Sequence, residues 1–271
     1  MLDTVVQTPA RMRDRAPAQL VLEELFRRQD KAAPRTWLGR ILGRSPILAE
    51  SSSWYTGARG ERAVADQLAS LPRGWAVFHS LPVGDGHGDI DHVVVGPSGV
   101  YTINTKHHSG KRIWVAGRTV MVDGQRVPYV PGAEAEARYV AAVLQRAGVP
   151  LPSISPLLVF VDPQNIDIRR SPALVDILSA RRLVRRLVRR PEVLSPETVA
   201  LISGVFDDPR SWRPMPAPID QQERFAELTS EVRTARRRRI GWTASGAVAG
   251  AAAASFLLPQ VATVVSTVLA R

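Results

Sequence analysis

The turn Gly96-Pro97-Ser98-Gly99 separates two short β-branched runs, and it constrains everything around it. The first run is Gly88 to Val95 and the second is Val100 to Lys106. Runs this short, rich in Val, Ile and Thr and split by a Gly-Pro turn, predict a β-hairpin. With Pro97 and Ser98 as the central turn residues, Gly96 pairs with Gly99. Continuing the ladder sets Asp91 opposite Asn104 and Asp89 opposite Lys106. Side chains alternate with a period of two, so these four share one face. A loop one residue longer or shorter would break that register.

Charges on such a face are costly unless they are paired or bound to a metal. A local Asp89–Lys106 ion pair would account for part of them. The choice of lysine argues for more, because the chain has three lysines (Lys31, Lys106 and Lys111) among 36 basic residues. Arginine is the default cation here, and a compact ammonium does not substitute freely for a guanidinium. Upstream, Thr56 to Leu68 predicts a helix with Thr56 as its N-cap. Ala58, Val64, Ala65 and Leu68 form the apolar stripe, and Glu61 falls on that same stripe. A carboxylate there either caps the helix start or serves a site. Gly57 and Gly60 would let the helix approach a sheet closely.

Three pieces now stand together: Gly57-x-x-Gly60-Glu61 opening a helix, Ile90-Asp91-His92-Val93-Val94-Val95-Gly96-Pro97-x-Gly99-Val100, and a strand ending in Thr105-Lys106 before Ser109-Gly110. They resemble the nuclease-related domain (NERD) family, which is placed in the PD-(D/E)xK nuclease-like superfamily. The resemblance is dense from Gly57 to Gly110 and looser as far as Trp212. It implies an α/β fold, a restriction-endonuclease-like mixed sheet flanked by helices. It also implies metal-dependent phosphodiester hydrolysis of DNA or RNA, with Glu61, Asp91, Asn104 and Lys106 in the catalytic positions. The cofactor expected is Mg²⁺, held by Glu61, Asp91 and Asn104 with the Thr105 carbonyl, and with Asp89 able to replace a missing acid. Lys106 would orient the attacking water or stabilise the oxyanion. The chain departs from the family pattern at Asn104, where an acid is usual. It departs again in the helix from Ala133, which offers Glu134 and Glu136 in place of a glutamine. A neutral amide weakens a cation site, so a catalytically degenerate nucleic-acid-binding or membrane-associated scaffold module on the same fold is the alternative.

The formal net charge of +11 favours polyanionic partners. The absence of cysteine excludes disulfides and thiolate metal sites. All five histidines (His79, His87, His92, His107 and His108) fall close to the hairpin. His107 and His108 are strand neighbours pointing to opposite faces, which argues against a shared zinc. Phosphate contacts are expected of them instead, together with Lys111 and Arg112. Leu174 to Arg190, read as a helix, lines up paired arginines on one side. Arg181, Arg185 and Arg189 are the nucleic-acid contacts expected there.

Further strands are expected at Arg112–Val115, Thr119–Val122 and Pro156–Val161, and helices at Pro17–Lys31, Ala133–Ala147 and Pro196–Val205. The organisation predicted is a basic N-terminal extension over 1–53, the nuclease-related domain over 54–212, a Pro-rich linker and basic segment over 213–239, and a transmembrane helix over 240–270. Asp207 to Ile219, with four prolines, reads as the linker proper. Ile240 to Ala270 carries no charge, and ~20 residues suffice for a helix to cross a bilayer. Arg236 to Arg239 precede it, which by the positive-inside rule places the soluble domain on the cytoplasmic side of the cell membrane. No secretory signal is expected, since Arg11, Arg13 and Arg15 are not followed by an adequate apolar run.

Overall fold

A computed structural model of the chain describes residues 11–31, 33–84, 88–150, 152–214 and 219–269, with the backbone alone from residue 248. Two compact units are present. One joins the residues up to Arg28 to Glu50–Gln221, and the other joins Gln29–Ala49 to the residues from Gln222 onward.

The elements in chain order begin with helices α1 (Gln19–Gln29), α2 (Trp37–Ile41) and α3 (Ser52–Leu68). Strands β1 (Ala76–Pro82), β2 (Asp89–Gly96), β3 (Gly99–His107), β4 (Arg112–Ala116), β5 (Thr119–Val122) and β6 (Gln125–Val127) follow. Then come α4 (Tyr129–Arg146), β7 (Ile154–Val161), β8 (Asn165–Arg170), β9 (Asp176–Ser179), α5 (Leu183–Val188), α6 (Pro196–Asp207) and α7 (Gln222–Leu269). The larger sheet has the order β1-β2-β3-β7-β9, antiparallel from β1 to β3 and parallel from β3 to β9. A second sheet, β6-β5-β4-β8, is also mixed, with β8 parallel to β4. The fold is thus mixed α/β, with sheets flanked by helices.

The central strand β3 is covered on both faces, which fits its near-continuous apolar run. Val93, Val95 and Val100 pack with Val140, Val143 and Leu144 of α4 and with Ile202 and Phe206 of α6. On the other face Val94, Tyr101 and Ile103 meet Val64 and Leu68 of α3 and Leu183 and Leu187 of α5. The hairpin turn is the expected one, with Gly96 paired to Gly99 and Val95 to Val100.

Several boundaries differ from expectation for physical reasons. Helix α3 starts at Ser52, a full turn before Thr56, because Tyr55 is buried and extends the packing face. Glu61 is therefore well inside the helix and caps nothing. Helix α4 starts at Tyr129, its Pro131 and Gly132 lying in the first turn, where a missing N–H costs least. The arginine-rich stretch from Leu174 is not one helix: Asp176–Ser179 adds the strand β9 to the sheet edge, and only Leu183–Val188 is α-helical. The linker begins later than Asp207, since Asp207 accepts from Arg13 and Trp212 is 4% exposed in the core. The N-terminal helix is part of this unit too, with Leu22, Leu25 and Phe26 buried.

In the other unit, Trp242 Nε1 donates to the Ile41 carbonyl at 2.9 Å, and Arg35 and Arg224 pair with Glu231 and Asp30. Helix α7 runs through the expected membrane segment. Among the described residues no helix is long and apolar enough to cross a membrane, and from 248 the segment's side chains lie outside the described residues.

The end of β2 is set by Gly96, where an added Cβ would stand 2.2 Å from the Trp75 ring, itself stacked on Tyr101. Gly96→Ala must displace that ring. It should cost about 2 kcal/mol, a magnitude typical of overpacking, and chemical denaturation will read it as a lower midpoint with an unchanged slope.

Candidate functional site

The larger sheet forks at the middle of the hairpin. The β2–β3 ladder runs from Gly96↔Gly99 to His92↔Ile103 and stops there. Beyond that point β2 stays with β1 through Ile90 and Asp89, while Asn104 to His107 of β3 pair only with β7. Asp91 stands at the crotch. Its Oδ2 accepts the Thr105 backbone N–H at 2.5 Å, replacing the ladder bond that the fork removes. The extrapolated cross-strand pairs Asp91–Asn104 and Asp89–Lys106 are accordingly not ladder pairs, although the register that places them is the expected one.

Acidic groups converge on this fork from both faces. Glu61, 5% exposed on α3, feels the charges of Asp91, Asp89, Lys106 and Glu136. Its helix comes in close because Gly60 leaves room: a Cβ there would be 2.8 Å from Cβ of His107. Asp89 lies near Arg15 and the Ser80 hydroxyl. No salt bridge joins it to Lys106 among the described residues, so a simple local ion pair does not explain the lysine. Lys106 is half-buried with its Nζ 5.2 Å from the Tyr129 ring centre, a cation–π contact, and its charge acts on Asp91. From the opposite face, Asn104 donates from Nδ2 to Glu136 Oε1 of α4.

Burial and mutual repulsion raise the affinity of every acid here for protons. Burial raises Asp89 to about 7, with Asp91 adding to the effect. Burial and then Asp91 raise Glu136 to about 8. Glu61 is pushed well above the carboxylate range by burial and by Asp91, and Asp91 itself is raised by burial against the pull of Lys106. Four buried acceptor atoms, Glu61 Oε2, Asp89 Oδ2, Asn104 Oδ1 and Glu136 Oε2, have no hydrogen-bond partner among the described residues. Orphaned buried oxygens of this kind call for an explanation. All four are hard oxygen donors, the set that Mg²⁺ or Mn²⁺ takes and that zinc does not favour. As the side chains stand, no three His, Cys, Asp or Glu among the described residues are close enough to hold an ion without moving. The donor chemistry fits a hard divalent cation, and closure of these side chains is what binding would require.

Residues 56–161 match the sequence model of the nuclease-related domain. This segment is a nuclease-related domain. The PD-(D/E)xK-like superfamily is consistent with that match. An uncharacterized protein of Bacillus anthracis is 34% identical over 67 residues, covering 23% of this chain and 30% of the relative. The aligned part is thus less than a third of that protein. No solved structure matches the chain.

Of the nucleic-acid contacts expected around the nuclease-related domain, some are exposed and some are not. The His107 side chain is 4% exposed, its Nδ1 3.0 Å from the Thr56 carbonyl, and it wedges α3 rather than facing solvent. His108 stacks on Tyr129 with its Nε2 2.9 Å from the phenol oxygen, next to Lys106. Lys111 is paired with Asp123 at 2.8 Å, and the Arg112 backbone N–H donates to the same carboxylate. Arg181 is 88% exposed and 3.9 Å from Asp162. Arg185 and Arg189 are exposed and carry no salt bridge among the described residues, whereas Arg186 and Arg190 share Asp176.

Two groups were not singled out by pattern. Glu136 gave a weak signal, a second acid in the helix where a glutamine is usual. His79 and His92 form a buried pair, Nδ1 to Nδ1 at 2.8 Å. Burial keeps both neutral, holding His79 at about 4 and His92 well below the imidazole range. One ring must donate and the other accept. Only the cross-strand register, His79 opposite His92, would have revealed them.

The raised acids fix how stability follows pH. A carboxyl whose folded pKa exceeds its unfolded value binds more protons in the folded state, so its stabilisation is present at low pH and lost as pH climbs. With Asp89 at about 7 and Glu136 at about 8, the melting temperature in a chelating buffer should fall by several degrees from mildly acidic pH up to about 8. Thermal scans in EDTA across that range will read it, and a flat profile would mean the carboxylates are not crowded as described.

Proposed function

We propose that the nuclease-related domain is a metal-dependent nuclease that hydrolyses phosphodiester bonds in DNA or RNA. The observation that carries this reading is the convergence of one buried carboxylate, Glu61, and three half-buried ones with one half-buried lysine on the sheet fork. Asp91 and Glu61 would hold Mg²⁺, with the Asn104 amide oxygen and Asp89 beside them. When bound, the cation supplies a coordinated water of lowered pKa and offsets charge on the phosphate.

The chain's own residues then divide the remaining work. Asp91 is fixed by the Thr105 N–H, so one of its oxygens is anchored and the other is directed. Lys106 forms no salt bridge among the described residues and rests on an aromatic face, which leaves its ammonium placed to meet an attacking water or a developing oxyanion. His108, Lys111, Arg112, Arg181, Arg185 and Arg189 are proposed to meet the phosphate backbone, the last three with the fewest bonds to break first; His107 shares the assignment only if α3 shifts. One observation favours the alternative of a binder without catalysis: the neutral amide at Asn104.

Asp91→Asn, which keeps an oxygen for the Thr105 N–H, and Lys106→Ala should each lower Mg²⁺-dependent cleavage of labelled DNA or RNA by ~10²-fold or more, as loss of a preorganised charge does, with circular dichroism unchanged. Equal cleavage by wild type and Asp91→Asn would sink the nuclease reading. A wild type that binds nucleic acid without cutting it would select the binder.

A membrane tether is the second part of the proposal. It is supported by the uncharged run Ile240–Ala270 and the block Arg236 to Arg239 before it. Deleting residues 240–271 should move the protein from the carbonate-washed membrane pellet to the supernatant. Full-length protein found in that supernatant would remove the tether.

A further inference from the structure

We infer that Glu136 supplies, from α4, the charge that Asn104 lacks on β3, and that the Asn104 amide is the arm positioning it. This deepens the proposed metal site and rests on that reading. The acid has changed element, from strand to helix, while the cation-facing charge of the site is kept.

The partner choice is the first support. Asn104 is 9% exposed and gives its amide N–H to Glu136 Oε1, leaving Asn104 Oδ1 and Glu136 Oε2 both buried and unpartnered. A glutamate at 104 would have no N–H to give, and it could make this contact only with one of the two carboxyls protonated. An amide both holds Glu136 in place and keeps an oxygen of its own to offer. The site therefore reads as one built around a helix carboxylate rather than one that has simply lost a strand carboxylate.

The second support is a contrast along one helix. Glu134, two residues earlier, is paired with Arg118 at 2.8 Å. Glu136 has no basic partner among the described residues, in a chain with 36 lysines and arginines. A half-buried carboxylate without a counter-ion has to be neutralised by a proton or by a bound cation. Its surroundings are further acids and acceptors: Asp91, Asp89 and Glu61 face it electrostatically, and Lys106 is the cation that acts on it among the described residues. Acceptors without donors are satisfied together by a cation.

The test uses the full chain and Mn²⁺ as the probe, read by electron paramagnetic resonance titration and by the cation-induced shift in melting temperature. Glu136→Gln, nearly isosteric, should weaken Mn²⁺ binding by roughly tenfold or more, at the scale seen for residues around metal centres. Returning the acid to the strand in the double variant Asn104→Glu/Glu136→Gln should restore most of that affinity, a non-additivity that only coupled residues show. Glu136→Ala gives the same readout should the glutamine variant fold poorly. Unchanged Mn²⁺ affinity in either single variant overturns the inference, and so does a double variant as weak as the single. A wild type that takes up no Mn²⁺ overturns it together with the metal reading. Mn²⁺ binding with the swap behaviour intact but no cleavage of nucleic acid retires the nuclease reading alone and leaves the role of Glu136 standing.

Discussion

The bond from the Thr105 amide to the Asp91 carboxylate holds the molecule's design together. A sheet cannot fork without leaving backbone groups unsatisfied, and a buried N–H without a partner costs about as much as a lost hydrogen bond. Asp91 meets that need from within the hairpin. In doing so it commits a carboxylate to the centre of the fold, and the rest of the site follows from that commitment. Lys106 and Glu61 lie near it, and the unpaired edge of β3 beyond Ile103 gives the approaching acids a place to meet. Structure and chemistry share one group here, which is why replacing Asp91 tests both.

Much of this was legible in the residues. The Gly96-Pro97-Ser98-Gly99 turn gave the register, because a two-residue turn leaves one way to pair the flanking strands. Glu61 on an apolar stripe marked a helix acid facing inward, and Gly60 marked the close approach. What escaped was non-local. The fork depends on β7 claiming β3 from the other side, and nothing within the hairpin reports that. Glu136 belongs to a helix thirty residues downstream, and only the crossover brings it over Asn104. The arginine stretch misled because its Leu and Val spacing suits a helix. The sheet edge took Asp176–Ser179 first, and edge pairing outweighs a local periodicity.

The basic surface is also less uniform than its composition suggests. Asp176 serves two arginines, Arg186 and Arg190, while Arg190 lies over the Tyr101 ring. Those two cations are structural, fastening α5 to the edge strand β9 and to the ring of β3. Arg182, Arg185 and Arg189 stand clear of them. The stretch from Arg182 to Arg190, α5 with its flanking residues, thus divides into a set that holds the fold and a set that faces solvent, and exposed charges contribute little to stability.

The order in which the chain can assemble follows from where its repulsion sits. The hairpin β2–β3 closes across two residues, a local step with little loop entropy to lose. Pairing β3 with β7 closes a loop of about fifty residues that contains the whole second sheet strip β4–β6 and α4, so it comes at greater entropic cost and later. Glu136 travels with that later piece. Until α4 docks, Asp91 and Glu61 have solvent to soften their charge; when it docks, the last carboxylate arrives and the water leaves. The electrostatic cost of the site is therefore concentrated in the closing step of folding, and the early hairpin is spared it. A chain arranged in this way meets its own charges in the same step that completes its apolar core, since α4 brings Val140, Val143 and Leu144 along with Glu136.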